Sequence, residues 1–127
     1  VDKPLNVKLM KRLPKEDYDK MVGACDVGLI FLDHRFTIPN FPSRLLSYMQ
    51  AKIPVLAVTD SNTDVGKVLV DGGFGWWANK NSKDEFADKI NECLACSVKN
   101  MQEKEYKYLE EYYSTAKAYE IIRRHFE

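Results

Sequence analysis

The sequence lacks an excess of charge of either sign. Its 127 residues carry 19 lysines and arginines against 19 aspartates and glutamates, a formal net charge of zero. A global basic field of the kind that draws in nucleic acid is therefore absent. Long hydrophobic runs are missing too. The longest, Val27 to Leu32, is far short of the ~20 residues a membrane-spanning helix needs. Cysteines number only three, an odd count that argues against a complete disulfide framework and favours a reducing compartment. Cys93 and Cys96 form a C-x-x-C, but inside a helical pattern, with no second pair and no nearby histidine. They read as two small residues on one helix face rather than as a zinc or redox site. No Gly-rich phosphate fingerprint, serine elbow or metal-ligand cluster is present. The first residues, Val1-Asp2-Lys3-Pro4, hold no initiator Met and no apolar signal segment, which fits a piece cut from a larger protein.

What is present is an ordinary globular balance, 45% hydrophobic and 30% charged, which argues against disorder. A chain of this size can bury about two thirds of its unfolded surface in a single core. Four short apolar, β-branched-rich runs stand out: Val7 to Met10, Val27 to Phe31, Val55 to Val58 and Phe74 to Ala78. Their starts lie about 20–28 residues apart, the spacing of βα units rather than hairpins. Near-continuous apolar strands also suit a parallel sheet covered on both faces. The gaps predict helices over Glu16 to Ala24, Ser43 to Ala51, Thr63 to Val70 and Lys83 to Cys96, the third ended by Gly72-Gly73 as a left-handed C-cap. The fold class expected is α/β, a Rossmann-like doubly wound parallel sheet of about four strands, truncated on its N-terminal side, with long C-terminal helices.

The tail differs in kind. From Met101 to Phe126 there is no strand signal, and five of the seven tyrosines lie there. Tyr112, Ala116, Tyr119, Ile122 and Phe126 follow at steps of three or four and make one apolar helical stripe. Ser114 is placed to N-cap the last stretch. Acidic and basic residues nearly balance along the tail, unlike the Lys/Arg-rich face of a membrane-surface helix, so its stripe is expected to pack on protein. The division expected is 1–100 for the sheet domain and 101–127 for a helical tail packing on that domain or on an absent N-terminal one.

Ligands of parallel α/β sheets bind beyond the carboxyl ends of the strands. The loop after the second run, Leu32 to Arg44, is long, holds Pro39 and Pro42, and feeds directly into a helix. Pro42 suits a first helical turn, and the N–H groups of Ser43, Arg44 and Leu45 behind it make a start of the kind that holds phosphates. A cation in the first turn opposes the helix dipole. A bound anion would reverse that sign, and the guanidinium fork matches phosphate well. The alternative is an Arg44 that is solvated or paired with Asp33 or Asp60. His34 reads as an exposed loop histidine rather than a general base. Asp60 and Asp64 lie at the ligand end of the third run, either for a sugar hydroxyl or, with Ser61, as helix caps. Trp76 and Trp77 alternate across a strand, one for the core and one toward a helix or ligand.

Three stretches carry a resemblance: "NVKLMKRLPKEDYDKMVGACDVGLIFL", "TIPNFPSRLLSYMQAKIPVLAVTD" and "TDVGKVLVDGGFGWW", joined by the tail "YLEEYYSTAKAYEIIRRHF". In order and spacing they resemble the C-terminal, donor-binding domain of GT-B retaining glycosyltransferases, the group 1 type of bacterial capsule and lipopolysaccharide synthesis. The resemblance implies a nucleotide diphosphate sugar at the sheet's carboxyl end, with Ser43, Arg44 and Leu45 at the diphosphate. It also implies Pro39, Asn40, Phe41 and Ser47 along the ribose or donor-sugar loop, and Leu13 near the base. Many members carry two glutamates with seven residues between them, at the start of the helix before the Pro-Val strand. Aligned on Pro54-Val55, those places hold Pro39 and Ser47, and Lys52 stands where a C-capping Gly is common. No resident cofactor or metal is implied, the substrate being a UDP- or GDP-sugar. The acceptor, a sugar or lipid-linked chain, is expected on an absent N-terminal domain, so the fragment alone is expected to be inactive. The location implied is cytoplasmic, at the inner face of the membrane for the full-length protein. Two rivals stand beside this reading. One is a non-catalytic flavodoxin-like interaction or receiver domain, which calls for an acidic metal-binding cluster at the strand ends. The other is a donor-domain fold that has lost activity and serves in assembly.

Overall fold

The computed structural model describes residues 4–38, 40–79 and 82–127. Within these, six helices and three strands alternate: α1 (Lys15–Gly23), β1 (Gly28–Phe31), α2 (Arg44–Ala51), β2 (Val55–Val58), α3 (Val65–Gly72), β3 (Gly75–Ala78), α4 (Lys83–Ala95), α5 (Lys99–Tyr113) and α6 (Thr115–Phe126). The strands form one parallel sheet in the order β1-β2-β3, with Gly28 opposite Val55 and Val55 opposite Gly75. This is the α/β, Rossmann-like arrangement expected from the spacing of the apolar runs.

One face of the sheet holds the core. Ile30, Val55 and Ala57 point into a cluster with Leu45 and Met49 of α2, Val65 and Leu69 of α3, and Phe74. Helix α5 closes this side through Met101, Tyr108 and Leu109. The other face is covered by α4 against β2 and β3. There Leu56, Trp76 and Ala78 are buried, whereas Leu29 and Phe31 of β1 stay largely exposed, Phe31 meeting the Phe86 ring of α4 edge to face.

The expected strand at Val7 to Met10 is not formed. A β-branched run becomes a strand only where a sheet edge accepts it. The N–H groups of Gly28 and Leu32 donate inward to Pro54 and Val58, so the backbone groups of Leu29 and Phe31 face the outer edge, where a fourth strand would pair. There the Tyr48 hydroxyl donates to the Leu29 carbonyl at 3.3 Å, and the Tyr48 ring sits so close that a Cβ on Gly28 would meet it at 2.6 Å. Val7, Leu9 and Met10 consequently lie exposed.

Helix ends follow local chemistry. Gly73 closes α3 in the left-handed region (φ 68). Lys52 does the same after α2 (φ 58) without glycine's freedom, a conformation that costs a non-glycine residue about 1–2 kcal/mol. Its ammonium lies 4.3 Å from the centre of the Tyr106 ring, a cation–π contact that offsets about half of that. Ser114 N-caps α6 by accepting from the Lys117 N–H at 3.1 Å. Helix α6 turns Ser114, Lys117 and Glu120 toward the body, while Tyr119, Ile122 and Phe126 of the apolar stripe face solvent. No helix among the described residues is long and apolar enough to cross a membrane.

Candidate functional site

The starts of α2 and α3 converge on the carboxyl end of the sheet. The β1–α2 loop first folds on itself. Asp33 accepts from the Arg35 backbone and guanidinium, closest at 2.6 Å. Those hydrogen bonds, and the Arg35 charge behind them, hold the Asp33 carboxyl well below the usual carboxylate range. His34 lies alongside, its Nδ1 3.7 Å from the same carboxylate. This turn walls a hollow of about 480 Å³ over the ends of β1 and β2, reaching Val58 and Thr59.

Beside it, a second hollow of about 350 Å³ runs from Ile30–Leu32 to the segment Asn40–Arg44. Ser43 ends this segment as the residue before α2, with no side-chain cap bond of its own. The Leu45 N–H donates to the Pro42 carbonyl at 3.0 Å, and the Leu45 side chain is fully buried. The helix start therefore offers the N–H groups of Ser43 and Arg44, for which no acceptor lies within hydrogen-bonding distance among the described residues. Arg44 is exposed and forms no ion pair among the described residues, because Asp33 is taken by Arg35 and Asp60 by its own loop. It bears instead on Tyr48 one turn on. Burial raises the Tyr48 phenol and Tyr18 adds to the rise, while the guanidinium pulls it back.

Past β2, three buried polar side chains build a fixed corner. The Asp60 carboxylate accepts from the Asn62 N–H at 2.7 Å and from the Thr63 hydroxyl at 3.1 Å. The Thr59 hydroxyl donates to the Asp60 carbonyl at 3.1 Å and accepts from the Trp77 indole N–H at 3.0 Å. Trp77 can lie this close because α3 presents Gly66 to its ring. Trp76 takes the core position on the opposite face. The helix cap expected of Asp60 is not formed: its oxygens accept from Asn62 and Thr63 ahead of α3, and Asp64, the residue before that helix, makes no side-chain cap bond. Asp64 stays exposed at the head of α3 and, with Asn62 and Thr63, faces Asn40 and Phe41 across a third hollow of about 230 Å³.

Asn40, Phe41, Ser43 and Arg44 thus come together at one strand end. Pro39 lies outside the described residues. Ser47 does not join them: it lines a groove between α1 and α2 with Asp19 and Val22. Leu13, half-buried ahead of α1, lines none of the three hollows. The buried corner of Thr59 and Thr63 was not among the sequence candidates; its signal was the run of hydroxyl and Asx residues from Thr59 to Asp64. No group of three or more His, Cys, Asp or Glu side chains able to hold a metal occurs among the described residues. The acidic metal cluster that a receiver domain calls for is therefore not found there.

Comparisons with known proteins point one way. The family model of glycosyl transferases group 1 matches residues 2–117. The chain is similar to a probable glycosyltransferase, WbjE, of Pseudomonas aeruginosa, with 25% identity over 100 residues. That match takes in 79% of this chain and 25% of that protein, so the chain spans about a quarter of the length of the curated relative it matches. No solved structure gives a significant match.

Proposed function

This chain belongs to the glycosyl transferases group 1 family, and from that premise we propose that it is the portion of a glycosyltransferase that binds the sugar donor, a nucleotide diphosphate sugar. The observation that carries this reading is the start of α2. Among the described residues, two N–H groups without acceptors and an exposed arginine outside any ion pair stand together at the carboxyl end of a parallel sheet, beside a hollow of about 350 Å³. A diphosphate there satisfies both N–H groups, sits at the positive end of the helix dipole and turns the unfavourable placement of Arg44 into a favourable one. Asn40 and Phe41 flank the same hollow and would border the ribose or sugar. Chemically, the site stabilises a leaving group. As the glycosyl bond breaks, negative charge grows on the departing diphosphate, and preorganised donors aimed at that charge lower the barrier. Transfer with retention of configuration, to a sugar or lipid-linked acceptor, follows the family resemblance. The acceptor would be held by a further domain of a protein about three times as long, like the P. aeruginosa relative. The outward stripe of α6 is read as a contact face for such a domain.

Neither carboxylate of the family's usual pair is available, Pro39 and Ser47 occupying those places. The diphosphate site consequently bears the main share of donor affinity in this reading. Arg44→Ala is expected to weaken UDP or GDP binding, measured by calorimetry, by more than about 1.5 kcal/mol, the low end for a hydrogen bond to a charged group. Unchanged affinity would overturn the assignment.

A further inference from the structure

Tyr113 is the last residue of α5, some seventy positions beyond the loop it touches. Its ring centre lies 5.6 Å from that of Phe41, tilted by 42°, and 6.1 Å from that of Tyr108. Tyr108 in turn lies 5.3 Å from Phe74, which is fully buried in the core. Four rings thus connect the interior to the segment that leads into α2. Tyr113 also lies within electrostatic range of the other helix start. Burial raises its phenol, Tyr108 adds to the rise, and the Asp64 carboxylate at the head of α3 is near enough to add to it again. Phe41 and Asp64 belong to the two loops that face each other across the 230 Å³ hollow. Phe41 itself stands two residues before Ser43, in a loop where Pro42 provides no N–H to anchor it.

We propose that Tyr113 is a positioning residue for the anion site: its ring braces the loop before α2 against the core and so fixes the N–H groups of Ser43 and Arg44. The proposal rests on the donor-binding reading of that site and extends it to a side chain that does not touch the nucleotide. Its physical basis is the precision such a site needs. Donors must be held to within about 0.5 Å of their productive geometry, and a loop does so only through locked supporting side chains. Aromatic pairs supply that lock with a defined geometry. The brace acts through the ring, since the Tyr113 hydroxyl has no hydrogen-bond partner among the described residues.

Two readouts on this chain test the proposal, one of them without any nucleotide. In Tyr113→Ala, amide exchange over residues 40–45 should quicken by about tenfold, the factor corresponding to the loss of an aromatic pair, while β1, β2 and β3 exchange as before. UDP or GDP affinity should fall by a similar factor. Tyr113→Phe should restore both. Exchange that is unchanged in Tyr113→Ala overturns the brace, whatever the nucleotide does. Faster exchange with unchanged affinity, in a chain whose binding Arg44→Ala does weaken, overturns the positioning role and leaves the donor-site reading standing. Failure of UDP and GDP to bind, or indifference of binding to Arg44→Ala, overturns that reading and the positioning role with it. Loss of affinity in Tyr113→Phe shows that the hydroxyl acts instead of the ring, and also counts against the proposal.

Discussion

Among the described residues two carboxyl groups are buried, at opposite ends of the sheet, and they are treated in opposite ways. Asp60, at the carboxyl end, is 6% exposed and has both oxygens hydrogen-bonded within its own loop. Glu105, on α5, is fully buried and has no hydrogen-bond partner for either oxygen among the described residues. Its neighbours in sequence place it near the amino end: Tyr106 lies under Lys52, which closes α2, and Lys104 lies beside Gly73, which closes α3. The comparison separates two uses of burial. At Asp60, charge is bought into the interior with a complete set of donors, and the return is a rigid corner beside the proposed donor site. At Glu105 no donor was provided, and burial alone pushes its pKa up to about 9. At neutral pH it is therefore a neutral acid, packed as a side chain of α5 rather than as an ion.

The largest expected effect comes from removing that proton equilibrium. Below its ordinary value of 4.5, Glu105 is protonated both folded and unfolded, and its contribution to stability is fully present. Between 4.5 and about 9 the unfolded chain releases the proton and the folded chain keeps it, so stability falls as pH rises through this window. The slope for one proton is about 1.4 kcal/mol per pH unit. Glu105→Gln removes it, and at pH 7 should be the more stable protein by about 3 kcal/mol. Urea unfolding at several pH values from 6 to 8 checks this. Parallel curves for the two proteins would mean that Glu105 is not held neutral, and the contrast with Asp60 would collapse.

The other side of the comparison is broken through Trp77. A Cβ added at Gly66 would be driven into the indole, and the ring cannot retreat without releasing the Thr59 hydroxyl. Gly66→Ala should cost about 2 kcal/mol, typical of overpacking in a filled core. It should also shift the emission of Trp77 as its N–H loses the 3.0 Å hydrogen bond. A stable variant with unchanged emission would show that the corner does not depend on this contact.

How far the sequence could have revealed these features depends on whether the cause is local. Helices α1 to α4 and all three strands are readable because apolar spacing, Pro42 and Gly72-Gly73 act on their immediate neighbours. The Ser114 cap belongs to the same class. Ser43 and Arg44 were legible for a similar reason, because a helix start is a property of a few adjacent residues. Val7 to Met10 misleads, since its fate is decided at an edge occupied by Tyr48, some forty positions away. Glu105 sits in a run, Glu103-Lys104-Glu105-Tyr106, that reads as solvated helix. Only the way α5 is rolled against α2 and α3 makes one of its four glutamates interior. Tyr113 is hidden likewise: five tyrosines mark the tail, and no local rule says which of them meets Phe41.

The smallest effect is the most discriminating test of what holds the corner at Asp60. Truncation to alanine leaves the Thr63 hydroxyl and the Asn62 N–H without their acceptor in a buried place, which should cost about 2 kcal/mol. Asp60→Asn keeps the shape. Its amide oxygen can still accept from the Asn62 N–H, and its NH2 can donate to the Thr63 hydroxyl, which only needs to turn from donor to acceptor. The remaining loss is the difference between charge-assisted and neutral hydrogen bonds, about 1 kcal/mol. Denaturation midpoints for the two variants, compared at equal slope, measure the gap between them. If Asp60→Asn falls as far as Asp60→Ala, negative charge at this corner is what the loop requires, and Asp60 would then act on the neighbouring anion site as a repelling charge as well as a brace. If it falls less, the corner is held by hydrogen-bond geometry, and the unpartnered acid of Glu105 differs from it in donors rather than in charge.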